Sequence, residues 1–160
     1  AQYLINQAKA GAEALQLFDS WSGALDAQQF KRWCIEPTRK IVALVKEACP
    51  DIPVIGFPKG AGNNYLDYIN TTGIDAAGLD AQTSTLWASR TIQPVMPVQG
   101  NLDPACLFAG GDAMMLAIEK IMTDLSKGPF IFNLGHGIHK ETPIEHVEVA
   151  IKMVREYGKG

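Results

Sequence analysis

A histidine between two glycines, Gly135-His136-Gly137, follows directly on a short apolar run, Phe130 to Leu134. Imidazole titrates near neutral pH, so a histidine held in a turn can bind a carboxylate, more strongly when protonated, or move a proton. Glycine on each side lets the backbone turn sharply and leaves room for a ligand. The alternative is a histidine that ties its loop to a backbone carbonyl. The flanking glycines and the strand-end position favour a ligand role for His136. Other polar side chains stand at the ends of other apolar runs: Asp19, Ser20, Lys59, Asp80, Gln99 and Asn101. Ser20 can donate one hydrogen bond to a ligand or cap a turn, and the residues alone leave these readings equal. Asp19 and Asp80 have the chemistry of general acids, but a strand-end aspartate more often caps the next helix or pairs with a neighbouring base. The structural role is preferred for both. Lys59, close to Gly60 and Gly62, suits an anion or solvent equally. His136-x-x-His139 is too unspecific a spacing for metal without a supporting cysteine, and His139 and His146 are expected at the surface.

The elements that would position these residues alternate regularly. An alanine-rich helix over residues 1–12 precedes a strand at Ala14–Phe18. Asp26 opens a helix through Phe30 and Trp33, and Pro37 ends it or starts the next one, which runs to Ala48. Further strands are expected at Pro53–Phe57, Ala76–Asp80, Pro94–Gln99 and Phe130–Leu134, the last buried on both faces. The helices between them include one capped by Asn63 and closed by Gly73, one near Ser84–Arg90, and one over Asp112–Ser126 with Met114, Ala117, Ile118, Ile121 and Leu125 on one stripe. Asp103 caps and Pro104 enters a first turn. Thr142-Pro143-Ile144-Glu145 fits a capping box opening a last helix, with Ile144, Val147, Ile151 and Val154 inward and Gly158 at its stop.

The pattern is one helix followed by five strand–helix units, which implies a parallel sheet covered on both faces. The strands recur about every 29 residues, and eight such units need roughly 230 residues, near the size of a (β/α)8 barrel. Five units could also form a complete open sheet of the flavodoxin type. The polar strand ends favour a barrel fragment. So does the start of the chain, where Ala1 lies inside a helix without an initiating methionine, as expected of a piece of a longer protein.

The bulk properties exclude several classes. The chain has 160 residues, 47% hydrophobic and 19% charged, with a formal net charge of −3. Its mean hydropathy is +0.01 and its pI about 5.6. These values suit a single globular domain, here a partial one, and give no reason to expect nucleic-acid binding. No apolar run is long enough to span a bilayer and no signal-peptide pattern is present. Cys34, Cys49 and Cys106 form no Cys-x-x-Cys pair, so free buried thiols in the cytoplasm are the expectation.

Four stretches together resemble uroporphyrinogen decarboxylase: residues 11–21 (Gly-Ala-Glu-Ala-Leu-Gln-Leu-Phe-Asp-Ser-Trp), Gly78-Leu79-Asp80, Gln99-Gly100-Asn101-Leu102-Asp103-Pro104 and Asn133-Leu134-Gly135-His136-Gly137-Ile138. The last two lie one barrel unit apart. The resemblance runs over nearly the whole chain but covers the C-terminal five strand–helix units of the family's TIM barrel. It implies removal of four acetate carboxyl groups from uroporphyrinogen III as CO2, giving coproporphyrinogen III on the route to haem. It further implies a cytosolic homodimer working without metal or organic cofactor. The family's substrate-contacting hydroxyl matches Ser20 and its substrate-contacting histidine matches His136. Its arginine cluster, pyrrole-binding aspartate and substrate-binding tyrosine have no match here. No catalytic residue is therefore assigned, and the fragment alone is expected to be inactive and to associate through its open sheet edges.

The chemistry makes sense of such a division. Loss of CO2 from an acetate leaves an electron pair that needs a sink. A pyrrole protonated on carbon supplies that sink itself, so the protein must provide a proton, stabilise the ring cation and hold carboxylates. Ser20 and His136 serve the last task. Two rival readings are corrinoid-related methyltransferases of the same fold and a non-catalytic anion-binding domain. The first binds zinc through His-x-Cys and a later cysteine. Here Ile138 stands two residues after His136, and no cysteine follows Cys106.

Overall fold

The computed structural model describes residues 1–157. Gly158, expected to stop the last helix, lies outside the described residues. The chain forms five parallel strands, each followed by helix. It divides into two compact units, one ending at Gly78 and one starting at Leu79.

The first unit holds α1 (Gln2–Lys9), β1 (Leu15–Asp19), α2 (Ala27–Phe30), α3 (Glu36–Ala48), β2 (Val54–Pro58), α4 (Tyr65–Thr72) and β3 (Ala76–Gly78). The Asp26 carboxylate caps α2 by accepting from the Gln29 amide at 2.9 Å. Pro37 stands in the first turn of α3, the second of the two places expected for it. A π-helical stretch, Lys31–Ile35, joins α2 to α3. Proline lacks an N–H and its ring crowds the carbonyl one turn back; the wide turn ahead of Pro37 accommodates both. Gly73 closes α4 in the left-handed conformation, φ 76°, as expected of a C-terminal glycine. Asn63 does not cap α4; it lies in a short 3-10 turn, Gly62–Asn64. Strands β1 and β2 run parallel from Leu15 opposite Val54 to Asp19 opposite Pro58. Phe30, Val45, Val54, Tyr65 and Tyr68 are almost wholly buried. The Tyr65 hydroxyl donates to the Gly78 carbonyl, and the Tyr68 ring fills the space beside Gly56.

The second unit holds α5 (Thr85–Thr91), β4 (Val98–Leu102), α6 (Pro104–Ala109), α7 (Gly111–Leu125), β5 (Phe130–Leu134) and α8 (Ile144–Tyr157). Strand β4 lies four residues later than the sequence pattern suggests. Proline cannot donate to a ladder, and Pro94 and Pro97 fall outside the strand. Gln99 and Asn101, expected in a turn or at a strand end, are buried inside it instead. Helix α7 buries Met114, Ile118, Ile121 and Leu125 on the expected stripe. The buried Gln93 side chain donates to the Leu125 carbonyl at 2.7 Å and the Pro129 carbonyl at 3.2 Å, fixing the chain's entry into β5.

Two expectations fail at the end of this unit. Strand β5 is not buried on both faces: it is the last strand in the order, and Ile131 is 47% exposed. Helix α8 does not turn its whole apolar stripe inward, since Ile144 and Ile151 are exposed and only Ala150 is buried. An apolar groove of about 300 Å³ runs beside α8 instead, lined by Phe132, Leu134, Ile138, Val147, Ile151 and Val154. The expected Thr142 cap is absent too; its hydroxyl is buried without a hydrogen-bond partner.

Asp124 on α7 accepts from the Thr85 hydroxyl and from Lys120 Nζ, the latter at 2.5 Å. These donors, Lys120 first, hold its carboxyl below the usual carboxylate range. A depressed native pKa gives stability that is complete above the unfolded pKa and is lost as pH falls through the native one. Asp124→Asn is therefore expected to flatten the acid side of the urea-midpoint-against-pH curve, with the difference from wild type present at pH 6 and closing below about pH 4. A difference that does not change with pH would contradict this.

Candidate functional site

In the first unit, Ser20 is the residue after β1 and is half-buried. Its turn is pinned by a residue that sequence reasoning did not single out. Ser22 is fully buried, and its hydroxyl donates to the Asp19 carbonyl at 3.2 Å and the Lys59 carbonyl at 2.7 Å. The Lys59 amide donates to the Asp19 carbonyl at 3.0 Å, and the Gly23 amide to the Lys59 carbonyl at 2.9 Å. Gly23 and Gly60 lie backbone to backbone; a Cβ on Gly23 would stand 2.8 Å from Gly60 Cα. The loops after β1 and β2 are thus locked together, and Ser20 sits on a rigid support. A single buried serine in a polar turn, between Trp21 and Gly23, carries no periodic signal that would mark it.

Asp19 has a structural partner. Its carboxylate accepts from the Cys34 thiol, and that thiol is pushed up to about 12, by burial first and by Asp19 second. Such a thiol is not a nucleophile at neutral pH. Tyr68 is likewise pushed up to about 12, chiefly by burial. Cys34 is buried as expected, whereas Cys49 and Cys106 are half-exposed.

In the second unit, Asp80 lies two residues beyond β3 and is buried. Its Oδ1 accepts from the amides of Gln82 and Thr83, at 2.9 and 3.0 Å, and from the Thr83 hydroxyl at 3.0 Å. Its role is structural, but it organises its own turn and does not cap the next helix, where Ser84 accepts from the Trp87 amide. Asn101, buried in β4, directs its amide nitrogen at both ends of that turn, 3.0 Å from the Asp80 carbonyl and 2.7 Å from the Thr83 carbonyl.

His136 follows β5 by two residues and is exposed. Its two glycines do different things. The Gly135 amide donates to the Leu102 carbonyl at 2.7 Å. A Cβ there would meet Ala81 N at 2.4 Å, so Gly135 is required by close packing on the Asp80 turn. A Cβ on Gly137 would meet nothing within 4 Å, so that side of the histidine is open. His139 meets the Phe108 ring edge-on, with centroids 6.0 Å apart. His146 is not the plain surface residue expected: it is half-buried, with Nδ1 3.0 Å from the Leu107 carbonyl and its ring against Gly110. Among the described residues no three histidine, cysteine, aspartate or glutamate side chains stand close enough to hold a metal ion. Among the same residues no helix is long and apolar enough to cross a membrane.

Parallel strands alternating with helices define five strand–helix units of a (β/α)8 barrel. The sequence profile of uroporphyrinogen decarboxylase matches residues 1–157, and the chain belongs to that family. Uroporphyrinogen decarboxylase of Rhodospirillum rubrum is 51% identical over 153 residues, covering 96% of this chain and 44% of the relative. That of a Chelativorans species is 53% identical over 156 residues, covering 98% and 45%. The chain therefore spans about half the length of the curated relatives it matches. Among solved structures, a methyltransferase from Methanosarcina mazei superposes with a TM-score of 0.81 over 98% of this chain and 45% of its own. At 18% identity that likeness concerns the fold alone.

Proposed function

We propose that this chain is the C-terminal part of a uroporphyrinogen decarboxylase, a cytoplasmic homodimer that converts uroporphyrinogen III to coproporphyrinogen III in haem biosynthesis. The observation that carries the reading is the family match across residues 1–157, with Asn133-Leu134-Gly135-His136-Gly137 falling at the end of β5 and just beyond it. His136 and Ser20 bind substrate: each donates to a carboxylate of the tetrapyrrole from the C-terminal end of its own strand. Neither carries out the bond-breaking step. The proton that makes the pyrrole an electron sink, and the anion that stabilises the ring cation, come from upstream segments that this chain does not match.

The 160-residue chain alone is accordingly inactive and associates through its exposed apolar surface, to which Ile131, Ile138 and the groove beside α8 contribute. In the full-length enzyme containing this chain, His136→Ala is expected to raise KM for uroporphyrinogen and lower kcat/KM on the order of tenfold, the size of a lost hydrogen bond to a charged group. The thermal midpoint should barely move, because the ring is exposed. Steady-state kinetics beside a thermal scan make the test. Unchanged kinetic constants would remove His136 from the site, and turnover by the isolated chain would overturn the division of labour.

A further inference from the structure

We infer that Asn101 is a positioning residue for His136, acting through the Asp80–Thr83 turn; the inference rests on the reading of His136 as a substrate contact. Asn101 is buried, 5% exposed, in the middle of β4. A buried primary amide must satisfy its donors, and Asn101 gives both to one short segment, the carbonyls of Asp80 and Thr83. Asp80 closes the same turn from inside with three accepted hydrogen bonds. The turn is therefore clamped at both ends and across its middle.

The residue at the tip of that clamp is Ala81, and Gly135 packs directly on it. A Cβ on Gly135 would lie 2.4 Å from Ala81 N, 2.9 Å from its Cα and 3.0 Å from its Cβ. The same glycine is tied from its other side, since its amide donates to the Leu102 carbonyl. His136 is the next residue. The route thus runs from the Asn101 amide to the 80–83 turn, to the Gly135 backbone, to the imidazole, with each step a direct contact. Asn101 touches no substrate on this route. It sets where the histidine stands, by fixing the surface on which the histidine's loop rests.

The test uses the full-length enzyme containing this chain, in four forms: wild type, Asn101→Leu, His136→Ala and the double variant. Leucine keeps the volume and removes both donors. Asn101→Leu is expected to lower kcat/KM on the order of tenfold, as small misplacements of a binding group do. In the His136→Ala background the same change should cost less than about twofold, because residues acting as one unit are not additive. Amide exchange at Gly135 should accelerate in Asn101→Leu while that of Val98 and Gln99 stays as in wild type. Additive losses, or Gly135 exchange equal to wild type, would overturn the positioning role alone. A His136→Ala enzyme with wild-type constants would overturn the substrate contact and the positioning role together. Should Asn101→Leu not fold, Thr83→Val removes one of the bonds inside the turn from a half-buried site. It should show a smaller loss of kcat/KM that also vanishes with His136→Ala, and additivity there would count equally against the inference.

Discussion

Gly100→Ala is expected to cost about 3 kcal/mol or more of folding stability, the sum of backbone strain and overpacking at one residue. Gly100 sits in the centre of β4 with φ +147°, a conformation side chains rarely adopt. An added Cβ would lie 2.6 Å from the Leu79 carbonyl oxygen and 3.1 Å from Leu79 Cβ. Neither neighbour can give way easily. Leu79 is wholly buried, and its amide donates to the Gln99 carbonyl at 2.6 Å. The methyl therefore drives apart the two backbones whose pairing it sits beside. The variant of the full-length enzyme should show a lower urea midpoint and a lower yield of folded protein. An alanine enzyme with the wild-type midpoint would show that β4 does not approach Leu79 as described.

The second large effect is on activity rather than folding. Gly135→Ala is expected to lower kcat/KM by about a hundredfold, the scale of a catalytic or binding group misplaced by roughly 1 Å. The added methyl would collide with the Ala81 backbone, and the Asp80 turn behind Ala81 is clamped by Asn101 and by the Asp80 carboxylate. The loop carrying His136 is the softer partner: the residues after Gly135 are exposed and a Cβ on Gly137 meets nothing. So the histidine moves and the turn stays. Far-UV circular dichroism should remain that of wild type while turnover of uroporphyrinogen falls. Wild-type kinetics would contradict the account of what holds this loop.

The order of elements was legible because short apolar runs alternate with amphipathic ones at a barrel's period. Four of the five strands begin within a residue of the expected place, since Leu15, Val54, Ala76 and Phe130 open apolar runs. Strand β4 was displaced because Val95 and Met96 are apolar while Gln99 and Asn101 are polar, yet the polar pair is buried and the apolar pair is not. Hydrophobic periodicity cannot register a strand whose polar side chains are satisfied inside the protein. The same limit hid Ser22 and Gln93, whose importance lies in backbone carbonyls far away in sequence. For Asp80 the sequence pointed to a structural role, capping the next helix or pairing with a base, but the carboxylate closes its own turn and Ser84 caps α5 instead. His146 was misjudged: its helix places it against Gly110 and the Leu107 carbonyl, a contact between segments that sequence alone does not pair. Helix α8 was expected to bury a stripe that in fact lines an open groove, because a stripe records what a helix can bury and not what is there to cover it.

The central proposal is that His136 holds a carboxylate of the tetrapyrrole, and that Ser20 does so in its own unit. A crystal structure of the full-length enzyme with coproporphyrinogen III bound tests it most directly. The prediction is an imidazole nitrogen of His136, and likewise Ser20 Oγ, within about 3.2 Å of a carboxylate oxygen of bound product. A product whose carboxylates are all held by other residues, with either side chain left in solvent, would contradict it.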